Sequence, residues 1–229
     1  MIEANVGDIL VINVFNQLDV PTSLHMHGLY FKGIPFFDGA YGINECGISP
    51  SGDMTYVVPV IQTGTYWYHS HYKGQYVDGF RGPIILKPSP KNLANLIDDD
   101  SIEHIDTLPV DEDFLITYED WYHREYLDLY KTQFMNMYNP GGAEPVPDSC
   151  LVNFFNNGTL PVFNIQPNKV YRFRIINMSA LSTFNFHIDN HDLEVVEMDG
   201  VLIEPIKIDT VHVAAAQRLS VIVKSKTKD

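Results

Sequence analysis

Two pairs of histidines hold most of the chemistry open to this chain, His25-Met26-His27 and His69-Ser70-His71. In an extended strand successive side chains alternate faces, so residues two apart project side by side with Cα atoms roughly 7 Å apart. Neutral imidazole is a good ligand for copper. Two such pairs on neighbouring strands would put four imidazole nitrogens on one face, enough to hold parts of several metal ions and too few to close a site around all of them. A single His-X-His is more often a chance polar pair or part of a structural zinc site. The second pair, however, follows Thr65-Tyr66-Trp67-Tyr68, a bulky apolar run that would limit water and orient the rings.

The elements that must carry these histidines read as an all-β chain. Short runs rich in Val, Ile, Tyr and Phe, separated by Gly, Pro, Asn and Asp, predict strands at 8–15, 54–60, 64–71, 83–87, 113–118, 150–155, 169–176, 183–188, 193–198, 208–213 and 218–224. Between Trp121 and Tyr138 the aromatics Tyr122, Tyr126, Tyr130, Phe134 and Tyr138 recur every four residues, which predicts a short helix. Residues 89–112, preceded by Pro88 and containing Pro90, Pro109 and the run Asp98-Asp99-Asp100, read as a linker between a first domain at 1–88 and a second at 113–229. The halves resemble copies of one plan: residues 6–16 match 167–177, each an extended run closing on Asn, and 52–58 match 217–223. Nine residues beyond the closing Asn stands His25 in the first copy and Phe186 in the second, and two further on stand His27 and Ile188. The first copy thus places metal ligands where the second places apolar core.

Bulk composition narrows the partners. With 29 acidic against 15 basic residues the formal net charge is -14, which argues against nucleic acid and anionic membrane. There is no apolar run of the roughly 18 residues that cross a bilayer, and Met1 leads almost directly into an apolar strand without a basic-then-apolar leader. Two cysteines, Cys46 and Cys150, are too few for a disulfide scaffold. Asn157-Gly158-Thr159 and Asn177-Met178-Ser179 fit the glycosylation pattern, which matters only in a secreted protein.

Read in order, Leu24-His-Met-His-Gly-Leu29, Asp38-Gly39, Cys46-Gly-Ile-Ser-Pro-Ser-Gly52, Gly64-Thr-Tyr-Trp-Tyr-His-Ser-His71 and Gly74-Gln-Tyr-Val-Asp-Gly79 resemble the first-domain signature of multicopper oxidases, and the second half resembles that family's second domain. The resemblance implies two tandem cupredoxin-like Greek-key β-sandwiches, with one short helix in the second. It implies that His25 binds a type 2 copper and that His27, His69 and His71 bind type 3 coppers, in a cluster that reduces dioxygen to water. Asp38 matches an aspartate that assists proton delivery, a role suited to a reaction that consumes protons; as a residue preceding Gly39 it also reads as a plain turn former. Asp78 reads either as an acceptor near the cluster or as a loop cap. His104, His123, His187, His191 and His212 lack a ligand context and read as surface or core.

The runs Glu119-Asp-Trp-Tyr-His123 and Tyr138-Asn-Pro-Gly-Gly-Ala-Glu-Pro-Val-Pro147 resemble the iron-oxidising, fungal iron-transport members more than the laccases. They put Glu144 where a ferroxidase carries an iron-binding carboxylate, a hard ligand that favours ferric iron; the alternative is an ordinary exposed loop carboxylate. The type 1 copper site is not supplied, because neither cysteine stands between histidines, and half of the cluster ligands would belong to a third domain. The expectation is therefore a fragment, inactive alone, of an oxidase that couples ferrous iron to dioxygen. A laccase-like phenol oxidase and a non-catalytic copper-binding module or relic are the alternatives. By resemblance the setting is extracellular, cell-surface or vacuolar-lumenal, with an iron permease as a further partner. Family members carry further strands ahead of the stretch at 2–15, so the first sandwich is expected to show an open sheet edge.

Overall fold

A computed structural model describes residues 1–89, 108–156 and 160–226. The first strand, β1 (Ile2–Asn5), runs parallel to β6 (Arg81–Lys87), while β2 (Ile9–Phe15) pairs antiparallel with β4 (Asp53–Pro59). Between β1 and β2 the chain changes sheets at Gly7, whose φ of +90° is open to glycine at no steric cost. The 8–15 strand is thus found as β2, and β1 is an additional strand that the apolar pattern did not mark. With β3 (His25–His27) and β5 (Gly64–His69), one sheet has the order β1-β6-β5-β3, and it faces the β2-β4 pair. Met26, Tyr56, Val58, Tyr66, Ile84 and Leu86 fill the space between them.

The second half forms a six-stranded sheet in the order β12-β11-β14-β9-β7-β8, built from β7 (Glu112–Trp121), β8 (Ser149–Val152), β9 (Val170–Asn177), β11 (Leu193–Met198), β12 (Val201–Ile208) and β14 (Arg218–Lys224). It packs on the hairpin-like pair β10 (Phe184–Phe186) and β13 (Val211–Val213) over Phe173, Ile175, Phe186, Leu193 and Val221. The pattern at 208–213 had merged two strands: β12 and β13 are separate, and β12 begins seven residues earlier, at Val201. Its half-exposed, mixed composition conceals the alternation on which strand recognition depends.

Internal repetition extends to single hydrogen bonds. Asn16 Nδ2 donates to Val20 O and Ile48 O, and its Oδ1 accepts from Leu18 N. Asn177 Nδ2 donates to Ser182 O and Val213 O, and its Oδ1 accepts from Ser179 N. Each Asn ties the end of its strand to the loop that follows. This also removes Asn177 as a glycan acceptor in the folded chain, because its side chain is fully buried and its amide hydrogens are taken. The other acceptor, Asn157, lies outside the described residues, as do His104 and residues 90–107 of the linker.

The predicted helix is shorter than its aromatic stripe. Strand β7 persists to Trp121, and helix α1 covers only Tyr126–Leu129 before widening into a π-turn at Tyr130–Phe134. Tyr130 and Tyr138 are 48% and 89% exposed, so the four-residue spacing does not trace one buried face.

Buried polar contacts join the two sandwiches. Glu197 accepts from Thr65 N and Thr65 Oγ1, from Ser220 Oγ and from Arg174. Arg81 reaches across to Asp120 O and Met178 O at 2.6 and 2.7 Å.

Candidate metal centre

Strand β3 buries Met26 completely, and alternation therefore sends His25 and His27 to the opposite face. Its register on β5 sets His25 beside His69 and His27 beside Trp67. Strand β5 ends at His69, so His71 is not the strand residue that its spacing predicts. Beyond the strand end its backbone N–H is held by Ser23 Oγ at 3.1 Å. The four rings still converge: the His25 ring centroid lies 5.5, 5.1 and 5.3 Å from those of His27, His69 and His71, and the His69 ring 5.9 Å from that of His71. Ligand nitrogens of His25, His27 and His69 all lie within 4.8 Å of one another.

Two of the rings have their orientation fixed from behind. His25 Nδ1–H donates to Asp38 O at 2.7 Å and His69 Nδ1–H to Ser70 O at 2.9 Å, which leaves each Nε2 unprotonated in the neutral ring. His27 Nδ1 lies 3.3 Å from His69 Nε2. The Trp67 indole stacks on both His27 and His69, with centroids 5.0 and 4.3 Å away. Burial favours the neutral form of His25, His27 and His69. Desolvation, reinforced by Arg218 and the other imidazoles, pushes His27 down to about 3. Desolvation also pushes His69 down to about 4 against the opposing hydrogen bond to Ser70. His25 is lowered by desolvation while Asp38 pulls it back. Neutral, clustered imidazoles with lone pairs directed at one another are the donor set that suits copper or a similar borderline ion.

Asp38 is a turn former, as one of its two sequence readings had it, and it also faces an imidazole. It closes the short helical turn Pro35–Phe37, and its carboxylate Oδ1 lies 3.2 Å from His25 Nδ1. Asn44 Nδ2 holds the other oxygen at 3.0 Å. Gly39 makes the approach feasible, because at φ +76° a Cβ there would lie 2.0 Å from Leu24 O. Asp78 is not beside the imidazoles: its Oδ1 accepts from Tyr126 N at 2.7 Å, tying the first sandwich to the start of α1. Glu144 is exposed and lines a cavity of about 520 Å³ with Tyr76, Tyr122, Tyr126, Phe134 and Leu181. The Tyr76 ring is also 5.1 Å from that of His69, so one aromatic residue separates the cavity from the imidazoles. His123 is exposed, as are His187 and His212, and His191 lies on the surface against Asp189 O. Cys46 and Cys150 are free and exposed.

Several residues that shape the site went unmarked in the sequence. Asn44, which orients Asp38, and Gln75, which accepts from Ser70 Oγ and Thr22 Oγ1 at 2.6 Å, were singled out by no motif chemistry. Arg81 stands opposite His69 in the β5-β6 register, a relation visible only once the strands are paired.

Family models for multicopper oxidases match residues 1–91 and 112–229. The chain is 40% identical over 230 residues to the iron transport multicopper oxidase fetC of Epichloe festucae, covering 98% of this chain and 34% of that protein. It is 38% identical to Laccase-4 of Thanatephorus cucumeris, covering 98% of this chain and 43% of that one. Among solved structures, Fet3p, a multicopper oxidase that functions in iron import, superposes with a TM-score of 0.85 at 37% identity, over 99% of this chain and 40% of that one. The laccase of Botrytis aclada gives 0.84 at 33% identity, over 99% and 41%. The chain thus spans about a third of the length of the first of these relatives.

Proposed function

The chain belongs to the multicopper oxidase family and has its cupredoxin-like, all-β fold, and from that premise we propose that it contributes to an oxidase that couples ferrous iron oxidation to the four-electron reduction of dioxygen to water. The observation that carries this reading is the convergence of four imidazoles, three of them held neutral by their surroundings, on one point between β3 and the end of β5.

In this reading His25 holds a type 2 copper, and His27, His69 and His71 hold type 3 coppers. Bound copper supplies the electron transfer to dioxygen. Asp38 O and Ser70 O keep the His25 and His69 rings turned so that each Nε2 faces inward. The Asp38 carboxylate, partly exposed and 3.2 Å from His25 Nδ1, stands between solvent and the imidazoles, where it can take up and hand on protons. Trp67 excludes water from the His27 and His69 side. In this reading the other cluster ligands and a Cys-containing type 1 centre belong to a third domain; Cys46 and Cys150 are free, exposed and outside the group of clustered imidazoles among the described residues.

Glu144 is the carboxylate for the ferrous substrate. An iron permease as partner and a cell-surface, extracellular or vacuolar-lumenal setting go with that role; no helix among the described residues is long and apolar enough to cross a membrane. A phenol-oxidising reading is favoured by a different observation, the aromatic wall of the cavity beside Glu144.

The test uses the native protein isolated whole. Oxygen uptake is measured with ferrous iron and with a phenol, before and after Glu144→Ala. Loss of kcat/KM for iron of about tenfold or more, with phenol oxidation retained, supports the ferroxidase. Loss for phenol with iron spared favours the laccase-like reading, and copper binding with no oxygen uptake on either substrate leaves a non-catalytic copper module.

A further inference from the structure

The sequence places apolar core in the second sandwich where the first places its histidines. The packing of this second sandwich on Trp67, behind the imidazoles, points to a different part. Trp67, 2% exposed, stacks on His27 and His69 with ring planes inclined by only 24° and 29°. The same indole packs with Ile176 and Met178, both fully buried, at the end of β9 and just beyond it. Its Nε1–H has no hydrogen-bond partner among the described residues, so van der Waals contact is what holds the indole in place. Met178 is fixed in turn by its backbone: its N–H donates to Tyr118 O at 2.8 Å, and its carbonyl accepts from Arg81 Nη1 at 2.7 Å. Arg81 is the residue paired with His69 across β5 and β6. Two routes, one through an indole and one through a guanidinium, therefore lead from Met178 to the His69 side of the cluster.

We propose that Met178 and Trp67 are positioning residues, through which the second sandwich sets the orientation of the His27 and His69 imidazoles. The proposal rests on the reading of those imidazoles as copper ligands. Partners behind a ligand typically change metal affinity by roughly tenfold to a hundredfold when removed, and a close-packed interior transmits a lost contact to its neighbours.

Cupric ion is titrated into the 229-residue chain and into its Met178→Leu, Met178→Ala and Trp67→Phe variants. Affinity is read by calorimetry and coordination by the EPR spectrum of frozen samples, with circular dichroism confirming the fold of each. Met178→Leu, which keeps the volume, is expected to match the parent. Met178→Ala and Trp67→Phe are expected to bind on the order of tenfold more weakly, with altered copper hyperfine splitting. Parental affinity and spectrum in both variants would overturn the proposal, and so would weaker binding with an unchanged spectrum, which marks general destabilisation. If Met178→Ala does not fold, Trp67→Phe decides alone by the same two readouts. His27→Ala and His69→Ala separate the underlying reading: parental copper binding in those two would mean that the imidazoles are not the ligands.

Discussion

The proposed ligand role of His27 and His69 depends on their resisting protonation, and that resistance is a burden on the fold in acid. Their folded values of about 3 and about 4 lie below the unperturbed imidazole value near 6.5. Below pH 6.5 the unfolded chain takes up protons that the folded chain refuses. The stability that comes from keeping these rings neutral is therefore present above about pH 6.5 and lost as pH falls from there toward the folded values. The thermal midpoint of the metal-free chain is expected to fall between pH 7 and pH 4.5, and to fall less in a His27→Gln, His69→Gln double variant. Superimposable profiles for parent and variant, followed by differential scanning calorimetry, would show that these rings do not carry the effect. Asp38 leads to a different expectation. Asp38→Asn keeps the backbone oxygen that orients His25 but removes the carboxylate. Turnover of the whole oxidase should drop by about a hundredfold or more, with cupric binding near parental; equal loss of binding would assign Asp38 to holding the ligand.

Strand β3 is only three residues long, and its position depends on the loop that closes over it. Gly39→Ala meets two obstacles, a positive φ and a Cβ placed 2.0 Å from Leu24 O, beside β3. The conformational strain alone is about 1–3 kcal/mol, and the backbone contact adds to it. Urea unfolding should show at least that loss, accompanied by weaker copper binding because His25 follows β3; a loss of stability below about 1 kcal/mol would mean that the loop relaxes freely. The strands were largely legible from alternation, since β2, β4, β5, β9, β11 and β14 lie within two residues of their predicted ends. The aromatic spacing after Trp121 marked the short helix and overstated its length for a physical reason: an interval of four residues fits one helix face, but only Tyr122 and Leu129 in that region find a buried environment.

Two features of the assembled molecule reach beyond any one element. Glu197 is 1% exposed and joins the sandwiches through Thr65, Ser220 and Arg174. Arg174→Met removes its cationic partner and leaves a buried carboxylate, a change that costs about 3–5 kcal/mol. Unfolding monitored separately by tryptophan emission and by circular dichroism should shift together if the sandwiches form one cooperative unit. The second feature is β2, which pairs only with β4 among the described residues and turns Ile9, Val11 and Phe15 outward at 63%, 58% and 60% exposure. The other side of β2 carries no strand among the described residues, and such edges promote association. Val11→Lys should raise the concentration at which the chain aggregates in light scattering while leaving copper affinity unchanged; unaltered aggregation would place the sticky surface elsewhere.

The two His-X-His pairs, the duplicated strand plan and most strands could be read from the sequence, because alternation and ligand spacing are local properties of an extended chain. The coming together of the pairs was not local. It required the register that sets His25 beside His69, and for His71 it required a turn held by Ser23 rather than a longer strand. The neutrality of the rings, the hold of Asp38 and Asn44 on His25, and the contact of Trp67 with Met178 arise from burial and from residues far apart in the chain. Desolvation and close packing depend on what surrounds a side chain in space, and spacing along the sequence does not report that.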